Sequence, residues 1–209
     1  SIIMSPITWI MELYMSLKEL TKDIHLEAEN MPWAKLLVSH KMTAEQYALY
    51  LNNQVACYLA LEDRADHFGI LEELPGLERA MNIAHDRSFY DFSPKIFPSV
   101  NKYIKYCSKM KRKQVLAHIY VRHFGDMYGG QMISKAIPSP QNIDWMGKNP
   151  DPNSWSTMYN FENKKELITS IREDLSDDMA DEAKTCFQFA INLFKELEEY
   201  YDVSEVNIS

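Results

Sequence analysis

Glycine is scarce in this chain, which has only six glycines and nine prolines among its 209 residues. Strand signals are nearly absent as well, since no extended alternation of apolar and polar residues is flanked by Asn-Gly or Asp-Gly turns. Long stretches rich in Leu, Ala, Glu, Lys, Met and Gln favour helices instead. The sequence therefore predicts an all-α fold. Its length fits a single domain over residues 1–209, with a polar, frayed tail from about residue 202.

Cysteine is also rare, because only Cys57, Cys107 and Cys186 occur and no Cys-x-x-Cys pair is present. We therefore expect neither disulfides nor a structural zinc ion, in a reducing cytoplasmic compartment. The longest apolar run is much shorter than the roughly 20 residues of a membrane span, and the N-terminal segment lacks the basic flank of a secretory signal. A net charge of −8 disfavours nucleic acid and anionic lipid as partners. Nothing in these features requires more than a monomer.

Motifs of several enzyme classes are missing. The chain has no GxSxG, Walker or GxGxxG motif and no Glu-x-x-His pair of the kind that di-iron helix bundles use. No motif for a bound flavin or iron–sulfur cluster is visible either. These absences disfavour hydrolase, nucleotide-binding and dinucleotide-binding functions.

Local signals indicate where the helices begin and end. A first helix is expected from Ser5-Pro6 to Met31-Pro32. Its buried stripe is formed by Ile10, Leu13, Leu17, Leu20 and Ile24. Thr43 and Gln46 form a capping box for a long helix that ends near His67. Further helices are expected at about residues 77–88, 100–109, 113–136, 164–176 and 179–201, and residues 137–157 form a loop region.

Half of the glycines lie in one six-residue window, Gly125-Asp126-Met127-Tyr128-Gly129-Gly130, inside a helical pattern. Each glycine within a helix costs about 1 kcal/mol relative to alanine, so three together should bend or loosen the helix. Gly125 and Gly129 are four residues apart and leave one helix face without side chains. This face serves either a tight helix crossing or turn, or the close approach of a ligand. The carboxylate of Asp126 beside that face favours the functional interpretation.

A second pattern lies on the first helix, where Lys18, Lys22, His25 and Glu29 form one stripe. Glu29 is one turn beyond His25 and could accept a proton from one ring nitrogen while the other binds a metal. The two lysines could meet anionic groups of a large flat ligand centred on His25. The alternative is a set of solvated charge pairs around an ordinary interfacial histidine.

A basic cluster covers residues 101–113. It contains six basic residues and no acidic one: Lys102, Lys105, Lys109, Lys111, Arg112 and Lys113. On so acidic a chain, a positive patch could guide an acidic partner to the surface. The alternative is a solvated helix end.

These patterns occur together in the heme oxygenase family, which the chain resembles from about residue 10 to residue 200. LKELTKDIHLEAEN (residues 17–30) resembles the proximal helix of that family. HIYVRHFGDMYGGQMISK (residues 118–135) resembles its distal helix, whose usual core is GDxSGGQ. NQVACYLALE (residues 53–62) and EAKTCFQFAINLFKEL (residues 182–197) are similar to two further helices. The soluble bacterial and algal members are the better likeness, since no hydrophobic C-terminal tail is present.

The resemblance implies a role for each matching residue. His25 would bind the heme iron, and Glu29 would be its hydrogen-bond partner. Gly125, Gly129 and Gly130 would let the distal helix approach the heme, and Asp126 would organise distal water. The remaining implied site residues are Tyr58 and Arg122 beside Asp126, Lys18, Lys22, Tyr120 and Arg172 at the propionates, and Phe187 packed on the heme.

The resemblance also implies an activity: cleavage of heme, which is cofactor and substrate, to biliverdin, carbon monoxide and ferrous iron. Dioxygen is consumed, and cleavage at the α-meso carbon is expected from the propionate anchors. Electrons would come from an acidic reductant, ferredoxin, docked near Lys102–Lys113.

Three positions depart from the family pattern. Tyr128 replaces the usual Ser, Ile168 replaces a basic residue that would help to hold a propionate, and Ala190 replaces an Asn. A bulky Tyr128 over the heme would favour a rival function, a protein that stores or senses heme without degrading it. A second rival is a helical interaction module whose glycines serve packing alone.

Overall fold

Helices account for nearly all regular structure in the computed structural model, which describes residues 16–208. Residues 16–20 are helical and precede the first helix whose two ends are defined. The α-helices are α1 (Lys22–Glu29), α2 (Pro32–Leu37), α3 (Ala44–His67), α4 (Ile70–Glu73), α5 (Ala80–Arg87), α6 (Pro98–Cys107), α7 (Arg112–Ala136), α8 (Lys164–Ile171), α9 (Ala180–Tyr201) and α10 (Glu205–Ile208). Short 3₁₀ helices lie at Ile143–Met146, Pro152–Trp155, Thr157–Tyr159, Arg172–Asp174 and Asp177–Met179. The described part of the chain contains no strand, so the all-α prediction is confirmed.

Three long helices, α3, α7 and α9, form the framework. α7 packs against both α3 and α9, while α5 and α6 cover α3. The core between them is apolar and aromatic, with Trp33, Tyr47, Tyr58 and Tyr103 almost completely buried. α9 also contacts α1 and α2, so the helix that carries His25 packs against the same framework helix as α7 does.

Capping chemistry explains the start of α3. The Thr43 side chain accepts a hydrogen bond from the Gln46 backbone N–H at 3.1 Å, and the Gln46 side chain accepts one from the Thr43 N–H at 2.9 Å. The capping-box prediction is therefore confirmed, and α3 ends at His67 as expected.

α7 is helical without interruption from Arg112 to Ala136, through all three clustered glycines. The expected start of the first helix at Ser5-Pro6, and the stripe positions Ile10 and Leu13, lie outside the described residues. The three cysteines are free and buried.

The tail differs from its prediction. Residues Glu205–Ile208 form α10, which contacts α2 rather than fraying into solvent. Lys35 and Glu205 form an ion pair at 2.8 Å, and Lys41 donates to the backbone oxygen of Ile208 at 2.8 Å. Within residues 16–208, no helix combines the length and the apolar character that crossing a bilayer requires.

Candidate functional site

A cavity of about 430 Å³ lies between α7 on one side and α1 and α2 on the other, with α3 and α9 as side walls. Most of its lining is apolar, and the polar groups gather at α3 and α7. Eight of the residues expected at the site line it: Glu29, Tyr58, Arg122, Gly125, Asp126, Gly129, Gly130 and Phe187. The structure therefore brings most of the α7 pattern to one cavity, together with Glu29 from the α1 pattern, whereas His25 itself is not among the lining residues.

The three clustered glycines have different surroundings. A Cβ atom added at Gly125 or Gly129 would meet no atom within 4 Å, so both positions leave open space at the cavity. A Cβ atom added at Gly130 would lie 2.2 Å from a ring carbon of Tyr159. Gly130 thus permits the close packing of the 3₁₀ helix Thr157–Tyr159 against α7, which is one of the alternatives the sequence left open. Gly125 and Gly129 fit the ligand-facing alternative.

Asp126 is the carboxylate on the open face of α7. It accepts a short hydrogen bond from the hydroxyl of Tyr58, which is 1% exposed. Burial raises the pKa of Asp126 to about 7, although the Tyr58 hydrogen bond and the charge of Arg122 oppose the rise. A carboxyl group with that pKa can hold or release a proton near neutral pH, as an acid–base group must.

Arg122 is buried behind Asp126 and anchored by residues that the sequence analysis missed. Its Nε donates to the Tyr103 hydroxyl at 3.1 Å, and its guanidinium lies 4.4 Å from the centre of the Tyr103 ring. The Tyr103 hydroxyl meets Nδ1 of His118 at 2.8 Å, and Nε2 of His118 meets Glu182 at 2.8 Å. This buried network fixes Arg122 beside the cavity. Its members come from α6, α7 and α9, so no local sequence pattern connects them.

His25 lies at the edge of this site on α1. Its ring stacks on Phe187 with the ring centres 5.2 Å apart, and its Nε2 lies 2.9 Å from Glu29 Oε1. The expected pairing of His25 with Glu29 is therefore present. Since Nε2 faces Glu29, binding of a metal through Nε2 requires the ring to turn and present Nδ1 to Glu29. The side chain is 43% exposed, which leaves room for that turn.

The expected propionate-binding residues lie away from the cavity lining. Lys18 and Lys22 are exposed, and Arg172 is half-buried in the 3₁₀ helix Arg172–Asp174. Tyr120 is 8% exposed, and burial raises its pKa to about 12, while a hydrogen bond with Thr21 opposes the rise. None of these four side chains is among the cavity-lining residues, and their propionate role stays a prediction.

Tyr128 is 50% exposed and is not among the cavity-lining residues. The large side chain at the usual Ser position therefore leaves the cavity free. This removes the feature that favoured a heme-storing or heme-sensing protein.

Two polar residues of the cavity were not expected from the sequence. Tyr50 and Gln54 lie on α3, two turns and one turn before Tyr58, and both line the cavity. The signal that could have identified them is their spacing, since positions 50, 54 and 58 share one helix face.

An all-α domain whose cavity has a glycine-faced helix with a carboxylate of raised pKa on one side, and an imidazole at its edge, has the features of a heme-binding enzyme. The Heme oxygenase family model matches residues 11–196. The chain belongs to the heme oxygenase family. Family membership makes heme degradation its activity, with heme as both cofactor and substrate.

Individual relatives agree with this assignment. Heme oxygenase 1 of Pongo abelii is 27% identical in an alignment that covers 90% of this chain and 72% of the relative. Heme oxygenase of the alga Guillardia theta is 27% identical in an alignment that covers 90% of this chain and 87% of the relative.

Solved structures share the fold. Heme oxygenase-1 of the cyanobacterium Synechocystis, solved in complex with heme, matches with a TM-score of 0.72 and 24% identity over 90% of this chain and 93% of that one. Heme oxygenase-2 of the same organism, solved with heme and NO, matches with a TM-score of 0.75 and 20% identity over 94% of this chain and 90% of that one.

Proposed function

We propose that this chain cleaves heme at the α-meso carbon to biliverdin, carbon monoxide and ferrous iron, with dioxygen and with electrons from ferredoxin. The observation that supports this proposal best is the cavity at the open face of α7, into which Gly125 and Gly129 place no side chain and beside which His25 contacts the lining residues Glu29 and Phe187. The apolar lining suits a porphyrin, and the groups near the cavity suit a metal ligand and an acid–base group.

His25 is the proposed ligand of the heme iron. An imidazole that stacks on Phe187 and contacts Glu29 has its orientation limited from two sides. Once the ring has turned, a hydrogen bond from Nδ1 to Glu29 would fix the tautomer and raise the basicity of the ligating nitrogen. Bound heme supplies the redox-active iron and the ring carbon that is oxidised.

The role proposed for Asp126 is to hold water and a proton at the open face of α7. Tyr58 orients its carboxylate, and the buried Arg122 supplies a fixed positive charge nearby. Gly125 and Gly129 allow the substrate to approach the α7 backbone closely, and this confines what can bind beside the carboxylate. The chain thus positions heme against α7 and holds one proton at the Asp126 carboxyl group.

The His25→Ala variant tests the iron ligand. It should fold, because the side chain is 43% exposed, but it should lose normal bilin formation when incubated aerobically with heme and a reductant. Added imidazole should restore part of it by filling the vacated position. Wild-type bilin yield without imidazole would exclude His25 as the ligand.

Regiochemistry depends on how the heme is rotated in the cavity, and charge pairs to its propionates would set this rotation. Lys18, Lys22 and Arg172, with Tyr120, are the proposed anchors, and Ile168 is where one basic group of the family pattern is missing. Chromatographic isomer analysis of the product should show the α isomer. A dominant β or δ isomer would contradict this assignment.

The proposed docking surface for ferredoxin is the basic cluster at residues 101–113. Lys102, Lys105 and Lys109 are exposed on and just after α6. Two other members have acidic neighbours: Arg112 pairs with Glu73 at 2.8 Å and with Asp174 at 3.6 Å, and Lys113 pairs with Asp178. The first three lysines are therefore the better candidates for contact with an acidic protein.

A charge reversal tests this surface. Lys102→Glu combined with Lys105→Glu should raise the KM for ferredoxin at low salt, because like charges then meet in the encounter complex. Lys148→Glu is the control, since Lys148 is an exposed lysine outside the basic cluster, in the segment between α7 and α8. Equal effects of both changes would exclude specific docking at the cluster. The cytoplasmic location stays a prediction. The monomeric state also stays a prediction, and sedimentation measurements can check it.

A further inference from the structure

One end of the cavity carries a pair of buried polar side chains that the proposed chemistry does not use. Tyr50 is 5% exposed and Gln54 is 8% exposed, and both line the cavity. Gln54 Nε2 donates to the Tyr50 hydroxyl oxygen at 2.7 Å. Gln54 Oε1 has no hydrogen-bond partner among residues 16–208. An unpaired buried carbonyl oxygen costs about 1–3 kcal/mol, so a partner is expected at this position.

Tyr50 and Gln54 together have one hydrogen-bond donor and one acceptor without a partner in either orientation of the Gln54 amide. In the orientation described, the amide oxygen is the open acceptor and the Tyr50 O–H is the open donor. With the amide reversed, Tyr50 would donate to the amide oxygen, which leaves the amide N–H and the phenolic oxygen open. A ligand at this position must therefore both donate and accept. A water molecule does so, whereas an apolar gas or a porphyrin edge does not.

The position of the pair connects it to Asp126. Tyr50, Gln54 and Tyr58 are successive members of one face of α3, with about 5–6 Å between neighbouring Cβ atoms. A water bound to the pair extends this row of polar groups, since each of its hydrogen bonds spans roughly 2.8 Å. Tyr58 in turn donates to Asp126. Burial raises the pKa of Tyr50, and the next largest contribution is the charge of Asp126, which agrees with both groups facing the same space.

We propose that Tyr50 and Gln54 form a binding site for an ordered water in the cavity, and that this water extends the hydrogen-bonded groups Tyr58 and Asp126 along α3. A water needs at least two polar partners and a small fraction of this cavity's volume, and both are present. Tyr50 and Gln54 are thus positioning residues for the proton supply of Asp126. This step rests on the proposed role of Asp126.

The first test uses the protein without heme, so that it does not depend on turnover. A high-resolution crystal structure of the wild-type chain should show a water within hydrogen-bond distance of the Gln54 amide and the Tyr50 hydroxyl. Gln54→Leu and Tyr50→Phe should each lose that water. A dry wild-type pair, or a water that persists in both variants, would overturn the proposal.

The second test measures turnover of the heme-loaded protein. Gln54→Leu should bind heme as the wild type does in a Soret titration, but bilin formation should slow roughly 3- to 10-fold, the size expected for loss of one hydrogen bond. Its solvent deuterium isotope effect should rise because proton delivery then limits the rate more strongly, a change that looser packing alone would not cause. Gln54→Glu should restore much of the rate, since it keeps an acceptor of the same length.

Gln188→Leu provides the control, because Gln188 is exposed on α9 and outside the cavity lining. It should match the wild type in both rate and isotope effect. A Gln54→Leu variant with wild-type rate and isotope effect would overturn the link to proton supply. Absence of bilin formation in the wild type itself would instead refute the proposed function, and the crystal structure would still decide the water site.

Discussion

Adjacent glycines on α7 should respond in opposite ways to a single added methyl group. Gly129→Ala places the new Cβ in open space, whereas Gly130→Ala places it 2.2 Å from a ring carbon of Tyr159. Both substitutions gain the same helix propensity, about 0.5–1 kcal/mol, because both positions lie within α7. The difference between the two variants therefore isolates the steric effect.

The size of that effect follows from the geometry. An ordinary contact begins at about 3.4 Å, so the Tyr159 ring must move by about 1.2 Å to accommodate the methyl group. Tyr159 is 2% exposed, and its backbone oxygen accepts a hydrogen bond from Gln131 at 3.2 Å, so the ring has little space for movement. Overpacking of this kind costs about 1–3 kcal/mol. Gly130→Ala should consequently be about 1–3 kcal/mol less stable than Gly129→Ala.

Urea denaturation of both variants without heme measures the difference directly. A Soret titration then separates stability from binding, because the methyl group of Gly129→Ala faces the cavity and should weaken heme affinity. Equal free energies of unfolding for the two variants would refute the assignment of Gly130 to packing against Tyr159. Unchanged heme affinity in Gly129→Ala would refute the placement of heme against that face.

Two further predictions concern the carboxylates Asp126 and Asp86. The pKa of Asp126 is raised from 3.8 to about 7. Between those two pH values the folded protein therefore keeps a proton that the unfolded chain has lost. The stability of the wild type relative to Asp126→Asn should consequently fall as the pH rises through this range, and it should stay constant at higher pH. Urea denaturation at about pH 5 and about pH 8 measures this trend, which a pH-independent difference would contradict. Asp86 is fully buried and accepts hydrogen bonds from the backbone N–H groups of Thr157 and Met158, both at 2.9 Å. Asp86→Ala should therefore cost about 2–4 kcal/mol of unfolding free energy, whereas the exposed Asp144→Ala should cost little.

Contacts between residues that are close together in the sequence could be predicted. The start of α3 depends on Thr43 and Gln46 alone, which are three residues apart, so the sequence contains the whole capping box. The pairing of His25 with Glu29 could be predicted for the same reason, because the two residues are four apart on one helix, and their side chains are in contact. The glycine window predicted an open helix face correctly for Gly125 and Gly129.

Features that depend on packing could not be predicted in this way. Gly130 has a different role from Gly129 only because a distant 3₁₀ helix brings Tyr159 against α7. Tyr103 reaches Arg122 from α6, and nothing near either residue indicates the contact. The tail was expected to fray because its composition is polar, yet Glu205 finds Lys35 on α2, and a pairing across 170 positions has no local signal.

That pairing has a consequence for the cavity, since α2 supplies part of its wall through Ala34 and Leu37. The same short helix is attached twice to the end of the chain, by the Lys35–Glu205 ion pair and by the Trp33 backbone N–H, which donates to Glu198 at 3.0 Å. The last two helices, α9 and α10, therefore hold α2 in place as a wall of the heme cavity. A truncated chain that lacks only Glu205 and the residues after it keeps every proposed site residue, but it should bind heme more weakly because α2 has lost one of its two attachments.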